Sequence, residues 1–112
     1  MATNTNSLTQ AILLYVNHNG FKAWRNNNSA IYSVKQKTFR KNPTTLHGVS
    51  DIIGYNRKTG VALYVEVKTG KDKLSDAQER FLTDAELAGC LVFVARDFDS
   101  FEKEFNLKIK SC

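Results

Sequence analysis

Acidic residues are absent from the first fifty positions of this 112-residue chain. That part carries a charge of +6, whereas the rest holds ten basic and eleven acidic residues and carries −1, within a total of +5. The six basic residues are Lys22, Arg25, Lys35, Lys37, Arg40 and Lys41. A segment of one charge sign, here interleaved with aromatic and amide side chains, is typical of proteins that bind nucleic acid. A basic surface that serves solubility alone is the alternative.

Other absences narrow the class of protein. No apolar run approaches the roughly 20 residues needed to cross a membrane, and the polar start "MATNTNSLTQ" lacks the pattern of a secretory signal. Two cysteines at unrelated positions give neither a disulfide framework nor a metal-ligand spacing. With 42% hydrophobic residues, one proline and six glycines, we expect one folded domain over residues 1–112. We expect residues 1–6 to be flexible and the protein to be intracellular, in the cytoplasm.

Apolar periodicity predicts three helices. The first has a plausible N-cap at Ser7 and ends at Gly20. The second begins at Ser75, which forms the S-x-x-Q spacing of a capping box with Gln78. The last is a short helix over "DSFEKEFN".

Alternating or continuous apolar runs predict the strands "FKAW", "AIYSVKQ", "SDIIGYN", "GVALYVEVK" and "CLVFVA", and "TFRKNPTTLHG" is predicted as a loop. The element order is then α-β-β-β-β-α-β-α. Strands on either side of the second helix should be parallel, and the hairpin before them antiparallel. The sequence therefore predicts an α/β fold, a mixed β-sheet flanked by helices.

The hairpin "DIIGYNRKTGVALYVEVK" brings charged groups together at one end. Pairing about a turn at Lys58–Thr59 places Asp51 opposite Glu66, give or take one residue, with Cβ atoms about 4.5–5.5 Å apart. Lys68 shares a face with Glu66, since side chains two apart on a strand point the same way. Two carboxylates at that distance repel each other unless a cation lies between them.

This arrangement suits a hard divalent cation such as Mg²⁺, with Mn²⁺ as a substitute. Asp51 and Glu66 would each supply an oxygen, and the carbonyl of Val67 a third. Lys68 could orient an attacking water or stabilise charge on a phosphate. The alternative is ordinary: strand ends are often charged, and Glu66 and Lys68 could form a simple ion pair.

The same residues carry a resemblance to a known family. Asp51 followed by "VEVK" resembles the D…(D/E)-x-K signature of the restriction-endonuclease-like nucleases, and the closer resemblance is to the VRR-NUC family. It extends over roughly Ser7 to Phe105. The segments that carry it, in order, are "AWRNN", "GVSDII", "VEVKTG", "LSDAQERFL" and "AGCLVFVARDFDSF".

The resemblance implies that Asp51 and Glu66 are metal ligands and that Lys68 is the catalytic lysine. Gln78 matches a glutamine beside the active site, a role that can coexist with capping. Stand-alone members resemble Holliday-junction resolvases, are often encoded by phages and act as oligomers on branched DNA. The resemblance thus implies a small nuclease, present in the host cytoplasm if it is phage-encoded.

Two positions depart from the family pattern. Ser50 stands where a proline often precedes the aspartate, a change expected to alter only the loop. The first helix lacks the acidic residue of many relatives, with Gln10 as the nearest stand-in, which favours one well-bound metal over two.

Several further residues are candidates for DNA contact. They are Arg25, Asn26, Asn27, Lys35, Lys37, Arg40, Lys41, Lys71 and Lys73. His47 could touch a phosphate, act as a base, or be a loop histidine with no role. Trp24 and Phe21 are predicted to be core or dimer contacts.

The sequence thus predicts a metal-dependent DNA endonuclease that acts on branched DNA such as Holliday junctions. A domain this small offers little surface to a branched substrate, so we expect a homodimer or larger symmetric oligomer. The alternatives are a nuclease for flap, nicked or linear duplex DNA, a non-catalytic nucleic-acid-binding module with the same fold, and a structural protein with a basic surface.

Overall fold

The computed structural model describes residues 4–26, 31–33, 38–40 and 48–110, of which 31–33 and 38–40 are described by backbone alone. Three helices and six strands lie in these ranges. The helices are α1 (Thr5–His18), α2 (Asp76–Leu87) and α3 (Phe98–Lys110). The strands are β1 (Phe21–Arg25), β2 (Ile31–Ser33), β3 (Thr38–Arg40), β4 (Ile52–Asn56), β5 (Ala62–Val67) and β6 (Leu91–Ala95). None of the described helices is long and apolar enough to span a membrane.

Four strands form one mixed sheet in the order β1-β4-β5-β6. β4 pairs antiparallel with both β1 and β5, as expected for a strand joined to β5 by a short turn. β5 and β6 are parallel, because the chain returns through α2 between them. The α/β class and the mixed sheet with flanking helices are therefore confirmed.

The segment "TFRKNPTTLHG", predicted as a loop, contains the additional strand β3. It pairs antiparallel with β2 in a separate two-stranded sheet. β-Branched and aromatic residues such as Thr38 and Phe39 favour strands, but a run of three is too short to reveal an alternating pattern. The element order thus has five strands, not four, before α2.

The first helix begins earlier than predicted. Asn4, not Ser7, is the N-cap, and its side chain accepts a hydrogen bond from the Ser7 amide at 2.7 Å. Both residue types cap helices well, and the cap at Asn4 gives α1 an additional first turn. Residues 4–6, predicted to be flexible together with 1–3, therefore form the cap and start of α1. The helix ends as predicted, with Gly20 in the left-handed region at a φ of 91°.

An aromatic core fills the space between the sheet and the pair α1 and α3. Phe101 and Phe105 of α3 pack on Phe93 of β6, with ring centroids 5.3 and 5.8 Å apart. Phe21 of β1 contacts Phe105 in turn, which confirms its predicted core role. Trp24 is not in the core: it is 45% exposed and makes an edge contact with the exposed Tyr55.

Helix α2 covers the other face of the sheet more lightly. Phe81 meets Tyr64 of β5 edge to face at 4.9 Å, and Leu82 is the buried residue of the helix. Tyr64 and Glu66 lie on this face, since they alternate with the core residues Leu63 and Val65. The start of α2 therefore lies beside Glu66 at the end of β5.

Candidate active site

The hairpin register agrees with the predicted one. Ile52 pairs with Val65, so one further step along the ladder places Asp51 opposite Glu66. The carboxylate of Asp51 accepts a hydrogen bond from the Val67 amide at 2.8 Å. Its backbone carbonyl accepts one from the amide of Asn26 at 2.8 Å, which ties the end of β1 to the site. Hydrogen bonds to its side chain and to its backbone thus both hold Asp51 in place.

Glu66 is buried, with 2% of its surface exposed. Its Oε1 accepts a hydrogen bond from Nε2 of Gln78 at 3.0 Å. Its Oε2 is buried without a hydrogen-bond partner among the described residues. An ionised carboxylate oxygen buried without a donor or cation costs free energy, so Glu66 favours the ionised form only when a positive charge is placed at this atom.

The pKa of Glu66 is raised from 4.5 to about 8. Burial is the main cause, since it disfavours the charged carboxylate. The neutral acid can also donate a hydrogen bond to Asp51, and the negative charge of Asp51 adds to the effect, while Lys68 opposes it. Strongly perturbed acids of this kind are concentrated at functional sites.

Gln78 performs the two tasks that the sequence left open. Its side-chain Oε1 accepts a hydrogen bond from the backbone amide of Ser75 at 2.8 Å. Its backbone amide donates to Ser75 Oγ at 3.1 Å, which completes the capping box. Its Nε2 remains to donate to Glu66. One side chain therefore stabilises the start of α2 and holds a carboxylate in place.

Lys68 follows directly after β5, and its amide continues the ladder by donating to the carbonyl of Ala95 at 2.9 Å. Two residues beyond Glu66, it is expected on the same face of the strand. The side chain is half-buried, and its charge acts on the Glu66 carboxyl. The ammonium thus belongs to the same electrostatic cluster as the two carboxylates.

The chemistry of these groups fits a divalent cation. Two facing carboxyl groups and a buried oxygen without a donor supply hard oxygen ligands. Within the described ranges no group of three or more His, Cys, Asp or Glu side chains could hold a metal. Any further protein ligand to join Asp51 and Glu66 in those ranges would therefore be a backbone, amide or hydroxyl oxygen, and the sequence predicts the Val67 carbonyl for this role.

The structure describes the side chains of four of the predicted DNA-contact residues. Arg25 is exposed beside the site and donates to Oδ1 of Asn6 at 2.7 Å. Asn26 lies next to Asp51, and its Nδ2 is buried without a partner in the described part of the chain. Lys71 and Lys73 are exposed on the loop after Lys68.

The remaining candidates are not placed by the structure. Asn27, Lys35, Lys37, Lys41 and His47 lie outside the described residues, and Arg40 is described by its backbone in β3 alone.

Sequence reasoning missed several contacts around the site. Ser50 is fully buried, and its Oγ has no partner among the described atoms, although its substitution for proline was expected to affect only the loop. Thr5 and Thr69 share a hydrogen bond of 2.8 Å, which joins the start of α1 to the loop after Lys68. Arg96 donates to the carbonyl of Asp72 at 2.7 Å and braces the same loop. Only the position of Ser50 beside Asp51 gave a signal in the sequence.

The family model of the VRR-NUC domain matches residues 8–98. The chain belongs to the VRR-NUC family. No curated protein matches it. The match confirms the resemblance carried by the sequence and includes Asp51, Glu66, Lys68 and Gln78. VRR-NUC domains are nuclease domains, which makes DNA the expected class of substrate.

Proposed function

We propose that this VRR-NUC protein is a divalent-metal-dependent DNA endonuclease, with Asp51, Glu66 and Lys68 as its catalytic centre. The observation that supports this most directly is the buried Oε2 of Glu66, which lacks a donor and lies on the carboxyl group that faces Asp51. A structural ion pair would satisfy that oxygen, whereas a metal site leaves it free for a ligand.

Each residue of the centre has a separate task. Asp51 and Glu66 would hold Mg²⁺, or Mn²⁺ in its place, and the carbonyl of Val67 would be a third ligand. When bound, the cation supplies Lewis acidity and lowers the pKa of a coordinated water. Lys68 stabilises the negative charge that develops on the scissile phosphate. Gln78 keeps the Glu66 carboxylate oriented through its hydrogen bond of 3.0 Å.

Positive charge around the site supports DNA as the bound polymer. Arg25 lies at the end of β1, one residue before Asn26, which bonds Asp51. Lys71 and Lys73 are exposed on the loop that follows Lys68. Phosphate contacts from these side chains would guide the backbone across the carboxylates. Replacing Lys71 and Lys73 by alanine should weaken binding and reduce its salt dependence, whereas replacing Lys103 and Lys110 on α3 should not.

For the DNA structure that is cut, we propose branched DNA such as a four-way junction. The protein would act as a homodimer or larger symmetric oligomer that presents two sites. The support is the small size of the domain, which offers one site and little surface. A monomer seen by light scattering with junction DNA bound at micromolar concentration would contradict this part of the proposal.

A cleavage panel tests the function. The full chain is incubated with four-way junction, flap, nicked, single-stranded and linear duplex DNA in Mg²⁺, Mn²⁺ or EDTA. We expect cleavage that requires the metal and is fastest on the junction. Glu66→Gln and Lys68→Met should lower the rate by about 10²–10³-fold or more, while Lys58→Met, in the exposed hairpin turn, leaves it unchanged.

The outcomes separate the alternatives. Wild-type-like cleavage by folded Glu66→Gln and Lys68→Met would show that the centre lies elsewhere. Binding without cleavage in any metal would indicate a non-catalytic DNA-binding module. Cleavage that is fastest on flap, nicked or linear duplex DNA would retain the nuclease and correct its substrate.

A further inference from the structure

Gly48 lies where the loop before Asp51 crosses the first turn of α2. Its φ of 82° is in the left-handed region, which residues other than glycine rarely adopt. A Cβ added there would lie 2.5 Å from the carbonyl carbon of Ala77, closer still to the carbonyl oxygen, and 2.9 Å from the amide nitrogen of Gln78. These neighbours are backbone atoms of a helix, which cannot move aside without moving the helix.

The contact closes a ring of interactions around the candidate active site. The backbone of Gln78 touches Gly48, and its side chain donates to Glu66. Val67, next to Glu66, donates its amide to the carboxylate of Asp51. Asp51 lies three residues after Gly48, so the chain itself completes the ring. Displacement at Gly48 would therefore be transmitted to both carboxylates.

We propose that Gly48 is a positioning residue of the active site. It permits the loop that carries Asp51 and the helix that carries Gln78 to approach at backbone contact distance, and so sets the hydrogen bond between Gln78 and Glu66. The consequence for metal binding rests on the proposed function, but the contact between Gly48 and Gln78 does not.

The start of α2 cannot move without Gln78. The Gln78 side chain accepts from the Ser75 amide and its backbone donates to Ser75 Oγ, so the residue is held to the N-cap at both ends. A displacement of about 1 Å would stretch the bond of 3.0 Å to Glu66 beyond hydrogen-bonding distance. A side chain at position 48 is therefore expected to leave Glu66 Oε1 without its donor.

Gly60 provides a matched control. Its φ of 80° is nearly that of Gly48, yet no described atom lies within 4 Å of a Cβ built on it. It is in the β4–β5 turn, at the end of the hairpin away from Asp51. Gly60→Ala thus carries the same backbone strain as Gly48→Ala without the collision, and the difference between the two variants isolates the contact with α2.

The experiment compares the wild type, Gly48→Ala and Gly60→Ala as full chains. Mn²⁺ binding is measured by titration calorimetry, and the Gln78 side-chain amide is followed by ¹⁵N NMR without metal. For Gly48→Ala we expect Mn²⁺ affinity to fall about 10–100-fold, as for loss of a group that orients a ligand. The Gln78 amide signal should move and kcat should fall, with KM for DNA little changed. Gly60→Ala should stay within about twofold of the wild type in all of these.

Equal Mn²⁺ affinities and unmoved Gln78 signals in the two variants would overturn the inference. If Gly48→Ala does not fold, the wild type decides: a nuclear Overhauser effect between a Gly48 Hα and the Gln78 amide proton supports the contact, and its absence refutes it. If the wild type binds no Mn²⁺, the proposed function fails, while the NMR comparison still shows whether Gly48 positions Gln78.

Discussion

The face of the sheet that packs against α1 and α3 buries apolar side chains, whereas the opposite face, beneath α2, buries a carboxyl group. On the first face, Phe93, Phe101 and Phe105 are almost completely buried and meet ring against ring. On the second face, Glu66 is as buried as those rings, yet one of its oxygens has no partner among the described residues. Both faces are formed by alternate residues of the same strands.

The difference assigns stability to one face and chemistry to the other. Burying apolar surface stabilises the fold by about 25 cal/mol per Å², so burial of the aromatic side chains raises the free energy of unfolding. Burying an ionisable group opposes folding unless a counter-charge is present. We infer that the α1–α3 face supplies the stability that lets the α2 face keep an unfavourable group ready for a cation.

The largest effect should come from the aromatic face. Phe105 is fully buried and contacts Phe21, Phe93 and Phe101, so Phe105→Ala should lower the free energy of unfolding by about 3–5 kcal/mol. Phe81→Ala on α2 removes a half-buried ring that meets Tyr64, and we expect a loss of about 1–2 kcal/mol. Urea denaturation followed by circular dichroism measures both.

One result of the Phe105→Ala and Phe81→Ala measurements would contradict the difference between the two faces. Losses of equal size in the two variants would mean that α2 contributes as much to folding as the aromatic core, and the division between the faces would be wrong.

A smaller effect, with the opposite sign, is expected at Glu66. Its folded-state pKa of about 8 lies above the ordinary 4.5, so between these values the folded protein binds more protons than the unfolded chain. The free energy of unfolding of the metal-free protein should therefore fall as pH rises through this window. Glu66→Gln should remove that slope and, at pH 9 in EDTA, stabilise the protein by a few kcal/mol.

The measurement is urea denaturation in EDTA at several values between pH 5 and pH 9. Glu79→Gln, on the exposed surface of α2, is the matched control and should retain the wild-type slope. A stability curve that falls equally in the wild type and in Glu66→Gln would show that another group titrates. Added Mn²⁺ should reduce the slope in the wild type alone, because a bound cation favours the ionised carboxylate.

Features that depend on residues close together in the sequence could be predicted, whereas features that depend on distant residues could not. The hairpin register and the Ser75–Gln78 capping box depend on residues close in the chain, and both are found in the structure. Local patterns did not separate Asn4 from Ser7 as the cap of α1, because both residue types serve, and they missed the three-residue strand β3.

The long-range features of the site were beyond local patterns. The capping-box spacing and the family resemblance together allowed Gln78 to cap α2 and to lie beside the active site. Its hydrogen bond of 3.0 Å to Glu66 was not predicted, because it depends on how α2 packs on the sheet. The approach of Gly48 to Ala77 likewise joins segments with no shared pattern. Ser50 is also buried by tertiary packing. The sequence showed only that it stands where relatives often have proline, and this suggested no more than a change in the loop.

The smallest expected effect separates the two tasks of Gln78. Ser75→Ala removes the hydroxyl that accepts from the Gln78 amide and should cost about 1 kcal/mol of stability, while the bond from Gln78 Nε2 to Glu66 remains. Gln78→Ala should cost a similar amount and also deprive Glu66 Oε1 of its donor. Calorimetric titration should then give Mn²⁺ affinity within about threefold of the wild type for Ser75→Ala and about 10–100-fold weaker for Gln78→Ala. Equal losses of affinity would mean that Gln78 acts on the metal site only by stabilising the helix start, and that the chemistry of the α2 face does not extend to its cap.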